Sequence, residues 1–96
     1  MESFGDKIRI EREKRGLLLR NVGSAIDVDQ ALISKYERGE RVPSKEQVIR
    51  LAKYYKINED DLMAIWLADK IINELQNEKM ALRAMKLAVE KIKSNI

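Results

Sequence analysis

The sequence contains no cysteine and no histidine, a single proline, four glycines and few aromatic residues. Without thiols or imidazoles there is no disulfide, no thiolate nucleophile, no imidazole acid–base pair, no haem ligation and no zinc site of the usual kind. Carboxylates, lysines and hydroxyls are the chemistry that remains, so neither an enzyme nor a cofactor or metal is expected. The lack of cysteine fits a reducing compartment. Long hydrophobic runs are missing too. The longest, Leu62–Ala68, falls far short of the roughly 18 residues a membrane span needs, and Met1–Asp6 is too polar for a signal peptide. A cytoplasmic protein with no membrane partner and no evident small-molecule ligand is expected.

What is present fits one modest globular core: 96 residues, 45% hydrophobic and 36% charged. The net charge of +3 is unevenly placed. Residues 1–57 hold 13 Lys/Arg against 9 Asp/Glu, whereas residues 58–96 hold 6 against 7. A mildly basic front and a nearly neutral, apolar back point to different partners for each half.

Strand signals are absent: there is no period-two alternation and no Asn-Gly or Asp-Gly turn. The chain reads as helices throughout. A first helix over about Ser3–Arg15 places Phe4, Ile8 and Arg12 on one face, and Gly16 stops it in a left-handed conformation. A second spans about Leu19–Ile26. Asp29 caps a third over Gln30–Arg38, which Gly39 ends. Ser44 with Gln47 makes a capping box for a fourth, burying Val48, Ile49, Leu51, Ala52 and Tyr55. Asn58 with Asp61 repeats that pattern for a fifth, carrying Leu62, Ile65, Trp66, Ile72 and Leu75. There the cluster Glu59–Asp61 complements the helix start. Asn77 is the expected cap of a last helix to about Asn95. Helices this short need tertiary packing to persist, so an all-α bundle follows.

Leu19–Arg38 is the informative stretch. Two helices of about eight residues meet at a turn around Asp27-Val28, the spacing of a helix-turn-helix. Val22 and Ile26 face inward from the first, Val28 plugs the turn, and Ile33 and Tyr36 face inward from the second. Gly23 falls where the helices cross closest. At 100° per residue, Gln30, Ala31, Ser34, Lys35 and Arg38 share an arc of roughly 140°. That face carries no acid and suits a DNA major groove. Gln30 can bond an adenine edge, Ala31 can meet a thymine methyl, and Lys35 can reach guanine or a phosphate.

The segments Gly16-Leu17, Val22-Gly23, Ile26–Asp29, Ile33–Gly39 and Pro43-Ser44 resemble the lambda-repressor/Cro-type (xenobiotic-response-element) helix-turn-helix family. Ile33-Ser34-Lys35-Tyr36-Glu37-Arg38-Gly39 is the most specific part of the likeness. It covers about residues 4–63 and implies a five-helix DNA-binding domain at 1–63, followed by a helical extension at 64–96. The resemblance also implies a structural ion pair between Arg12 and Glu37, base contacts from Gln30, Ala31 and Lys35 with Ser34 nearby, and phosphate contacts from Arg38, Arg41, Ser44 and Lys45. Where the family often opens the second helix with Ser/Thr-Gln, this chain has Leu18-Leu19, which implies that the phosphate grip either passes to Arg20 or Asn21 or is weaker. Asp27 stands where the family usually has a turn glycine, and Lys56 replaces another after the fourth helix.

In the last helix Leu82, Met85, Val89, Ile92 and Ile96 recur at steps of three and four, beside a stripe of Ala81, Ala84 and Ala88. This face could cover its own domain, Ile10 included, or join two chains together with Ile65, Trp66 and Ile72. Dimerisation is favoured, because this fold generally reads paired half-sites about one DNA turn apart. The expectation is a homodimeric, nucleoid-associated transcriptional regulator, a repressor similar to restriction–modification controllers and phage repressors, on a palindromic double-stranded operator. The alternative is an antitoxin-like module whose C-terminal helices bind a different protein.

Overall fold

A computed structural model describes residues 2–96. Among them are six helices and no strand: α1 (Phe4–Glu13), α2 (Leu19–Ile26), α3 (Gln30–Glu37), α4 (Lys45–Tyr55), α5 (Glu59–Leu75) and α6 (Ala81–Ser94). Their ends are written in local chemistry. Ser3 and Asp6 form a reciprocal capping box, as do Ser44 and Gln47. Asp29 and Asn58 each accept a first-turn amide, from Ala31 and Asp61. At the C-terminal ends Gly16 and Gly39 take positive φ, and Asp27 and Lys56 do so without being glycine.

α1 to α4 and the first half of α5 enclose one core of Phe4, Ile8, Val22, Ile26, Ile33, Tyr36, Val48, Leu51, Ala52, Tyr55, Leu62 and Trp66. Ile49, expected with them, is only half-buried. Two close approaches set the helix arrangement. A Cβ on Gly23 would lie 2.6 Å from the Val28 carbonyl oxygen, where α2 meets the turn before α3. One on Gly5 would lie 2.5 and 2.7 Å from the carbonyl oxygens of Glu37 and Tyr36, where α1 meets the end of α3.

α6 contributes nothing to this core and has no buried residue. It starts after Met80 rather than at Asn77, because Gln76–Met80 forms an open turn in which the Glu78 amide bonds to Leu75 O and the Ala81 amide to Glu78 O. Nor does it reach Ile10, which stays 40% exposed. The radius of gyration is 15.1 Å, against about 12.5 Å for a compact chain of this length. The accessible surface is 7096 Å², where roughly 5,700 Å² is usual for this mass. Most of the exposed large apolar side chains lie along α6 and the end of α5.

Candidate nucleic-acid interface

α3 is held from behind and open in front. Ile33 and Tyr36 are buried, Leu32 is half-buried at the border, and Gln30, Ala31, Lys35 and Arg38 are exposed, with Ser34 half-buried between them. The exposed arc therefore has the residues that helical periodicity assigns to it. Glu37, the one acid of α3, points inward. Its carboxylate accepts from Arg12 Nε at 2.8 Å and Nη2 at 3.0 Å, a bidentate pair whose side chains are mostly buried. The same guanidinium donates through Nη1 to Leu17 O. Arg12 thus ties the loop after α1 to the end of α3, and the Glu37 bonds hold its pKa above the usual arginine value. With Glu37 neutralised on the inner side, the outer face of α3 is left uncharged or positive.

The flanking residues form a rim around this face. The start of α2 lies beside α3, so that Leu19, Ser34 and Arg38 border one open groove. Leu18 cannot cap α2 through its side chain; instead Asn21 Oδ1 accepts from the Leu18 amide at 2.8 Å. The Asn21 side-chain Nδ2 has no hydrogen-bond partner among the described residues. Arg20, Arg41 and Lys45 are exposed and have no salt bridge among the described residues. Arg38 is exposed but pairs with Glu40 at 2.8 Å, a solvent-screened contact that a phosphate could displace. The Ser44 hydroxyl accepts from the Gln47 amide and so serves the cap of α4. Behind the rim, Tyr36 donates its hydroxyl proton to Gln47 Oε1, which also accepts from the Ser44 amide. This joins α3 to the start of α4. Burial pushes the Tyr36 phenol upward, so it stays a donor at neutral pH.

Several structural residues were not singled out from the sequence. Glu11, 2% exposed, is surrounded by Lys7, Lys14 and Arg15, the Arg15 bond being 2.6 Å. Those contacts, Arg15 foremost, lower its pKa to about 2. Basic residues at i−4, i+3 and i+4 were the available signal. Arg15 also lies over the Tyr55 ring and donates to Tyr55 O. Arg50 donates to Ile26 O, closing the end of α2. Gly5 carries a legible signal as well, since a glycine inside a helix is unfavourable unless space demands it.

The residues expected at a dimer surface divide. Ile72, Leu82, Val89 and Ile92 are exposed, and Met85 is half-buried along the same face of α6. Ile65 packs partly against the core. Trp66 does not belong with them. It is 6% exposed and donates its indole N–H to Pro43 O at 3.0 Å, so the chain's own core takes it up. α5 likewise runs unbroken across residues 63 and 64, where a domain boundary is expected.

A chain with these helices and this face has the architecture of a helix-turn-helix DNA-binding domain. The profile of a family described as a helix-turn-helix domain matches residues 3–65, and the chain belongs to that family, of the lambda-repressor type. The family is one of transcription regulators, not of enzymes. An HTH-type transcriptional repressor, RghR of Bacillus subtilis (strain 168), is 39% identical over 64 residues. The match takes in 66% of this chain but 47% of RghR, so the chain spans about half the length of that relative. The solution structure of the DNA-binding domain of the P22 C2 repressor is similar with a TM-score of 0.60 and 29% identity, over 65% of this chain and 82% of that one. A chain of the SinR protein/SinI protein complex shares the fold over 97% of this chain and 99% of its own, with a TM-score of 0.57 and 15% identity. No helix among the described residues is long and apolar enough to cross a membrane.

Proposed function

We propose that this chain is a homodimeric, sequence-specific DNA-binding repressor that lays α3 in the major groove of a palindromic double-stranded operator. The observation that carries the reading is the outer face of α3, uncharged or positive, with its only acid turned inward onto Arg12. Gln30, Ala31, Ser34 and Lys35 read base edges. Arg20, Asn21, Arg38, Arg41, Ser44 and Lys45 meet the backbone phosphates and set the register. The protein acts in the cytoplasm, on the nucleoid, by occupying a promoter.

The homodimer is supported by exposed apolar area. Ile71, Ile72, Leu82, Leu87, Val89 and Ile92 stand exposed along the end of α5 and α6, large apolar side chains that an interface between two copies would cover. Charge supports it too. The exposed end of α5, residues 67–75, carries two acids and one lysine, while residues 78–96 carry five Lys/Arg and two glutamates. A second copy therefore offers each helix a partner of opposite sign.

A second reading rests on the same open face: a different protein covers α6, as in an antitoxin-like module. One fold relative was solved as a complex of two proteins, SinR and SinI. In-vitro selection of DNA, with the mass of the complex measured alongside, separates the two. The repressor reading expects an enriched palindrome bound by two chains. No enriched sequence at moderate salt, from a chain that is monomeric until another protein is added, favours the second.

A further inference from the structure

α5 belongs to two neighbourhoods at once. Its first half closes the core, and its second half presents Ile71, Ile72 and Leu75 to an open groove shared with Ala81, Leu82 and Met85. At the change-over, two polar contacts fasten it to the elements around α3. The Trp66 indole donates to Pro43 O, in the loop that carries Arg41. One turn on, Asp69 Oδ2 accepts from the Phe4 amide at 2.9 Å. Phe4 opens α1, and its neighbour Gly5 rests on the Glu37 and Tyr36 carbonyls at the end of α3. Lys70 lies 3.8 Å over the Trp66 ring and shields it from water. α5 therefore runs unbroken from the supports of the DNA-reading face to Leu75, the α5 half of the apolar groove, where a flexible linker would let the two move alone.

We propose that Trp66 and Asp69 are positioning residues that lock the end of α5 to the supports of α3, so that a dimer reads only one half-site spacing. The inference rests on the homodimeric reading above. Two added base pairs turn one half-site by roughly 70° about the duplex. A locked dimer then cannot engage both half-sites, and the gain from double engagement is lost.

The test has two arms. In the first, cysteines replace Lys35 and Asn73, both exposed, and are spin-labelled. The sequence has no other cysteine. Labelled chains diluted into excess unlabelled ones give the distance between α3 and the end of α5 in the full-length protein without DNA. A narrow distribution is expected, broadened by Trp66→Phe with Asp69→Ala and narrow again in Asp69→Asn alone, which keeps an acceptor oxygen. In the second arm, unlabelled protein binds the selected operator and duplexes with two base pairs inserted or removed. The wild type is expected to lose on the order of a hundredfold in affinity, and the double variant much less. A broad wild-type distribution, or one the double variant leaves unchanged, overturns the lock whether or not DNA is bound. A narrow distribution with spacer-tolerant binding overturns the spacing claim. Loss of the repressor reading is seen separately: no sequence is selected or no dimer forms. That result removes the spacing claim as well, while the distance arm still decides the lock.

Discussion

From Phe4 to Trp66 the large apolar side chains turn inward, and only Ile10, Leu18 and Val42 stand well exposed. From Leu67 to Ile96 the pattern reverses: Leu67, Ile71, Ile72, Met80, Leu82, Leu87, Val89, Ile92 and Ile96 all face water. The first region is complete as it stands, and what it leaves free is polar and basic. The second is an amphipathic helix and a half with nothing on its apolar side. Burial drives stability, so the first region holds its own fold. The second buries its apolar side only when something covers it.

The contrast breaks most severely at the buried ion pair. Glu37→Ala leaves the Arg12 guanidinium mostly buried without its carboxylate. We expect a loss of about 3–5 kcal/mol in urea-unfolding stability. A loss below about 1 kcal/mol would show that the pair is dispensable to the first region.

Acid acts on the same region through Glu11. Its carboxyl titrates near 2 in the fold, against 4.5 when unperturbed. Its contribution is therefore complete above about pH 4.5 and drains away as pH falls toward 2. The contribution is about 2–3 kcal/mol, with allowance for its exposed partners. Glu11→Gln should flatten the acid limb of stability between those pH values, measured by thermal melts across the range.

The second region should answer in the opposite way. Leu82→Asp, at a side chain 79% exposed, is expected to shift the unfolding free energy of the first region by no more than about 0.5 kcal/mol. The same variant should convert a dimer to a monomer in sedimentation. A large loss of folded stability would mean that α6 packs on its own domain after all.

A small effect is also expected at Tyr55. Its hydroxyl is buried without a hydrogen-bond partner among the described residues, and burial pushes the phenol well above its usual pKa. Tyr55→Phe removes an unsatisfied group from the core, so the melting free energy should stay within about 1 kcal/mol of wild type or rise.

Much of the first region was legible because its signals are local. Caps, positive-φ stops and helical periodicity all act within four residues, and they place α2, the Asp29 and Ser44 caps and the outward arc of α3. The Arg12–Glu37 pair came through family resemblance, since 25 residues separate its members and no periodicity links them. Contacts across the fold were hidden for the same reason. Trp66 sits on an apolar stripe that continues into Ile72, and only the position of Pro43 in space shows that the indole turns inward. Asp69 reads as a surface acid until the start of α1 is placed beside it. Asn77 has the right chemistry for a cap, but the turn through Met80 delays the helix. Glu11 was within reach: three basic residues at helical spacing mark it, and all three pair with its carboxylate.

The division of labour is tested most directly at the outer face of α3. Gln30 and Lys35 are exposed and remote from the core, so replacing both with alanine should leave the melting curve and the dimer mass unchanged. Anisotropy titration of the selected operator at fixed salt should show each change weakening binding by about 1–3 kcal/mol. Gln30→Ala should relax preference at one base pair of each half-site. Unchanged affinity and unchanged preference in the folded, dimeric double variant would contradict the placement of α3 in the major groove.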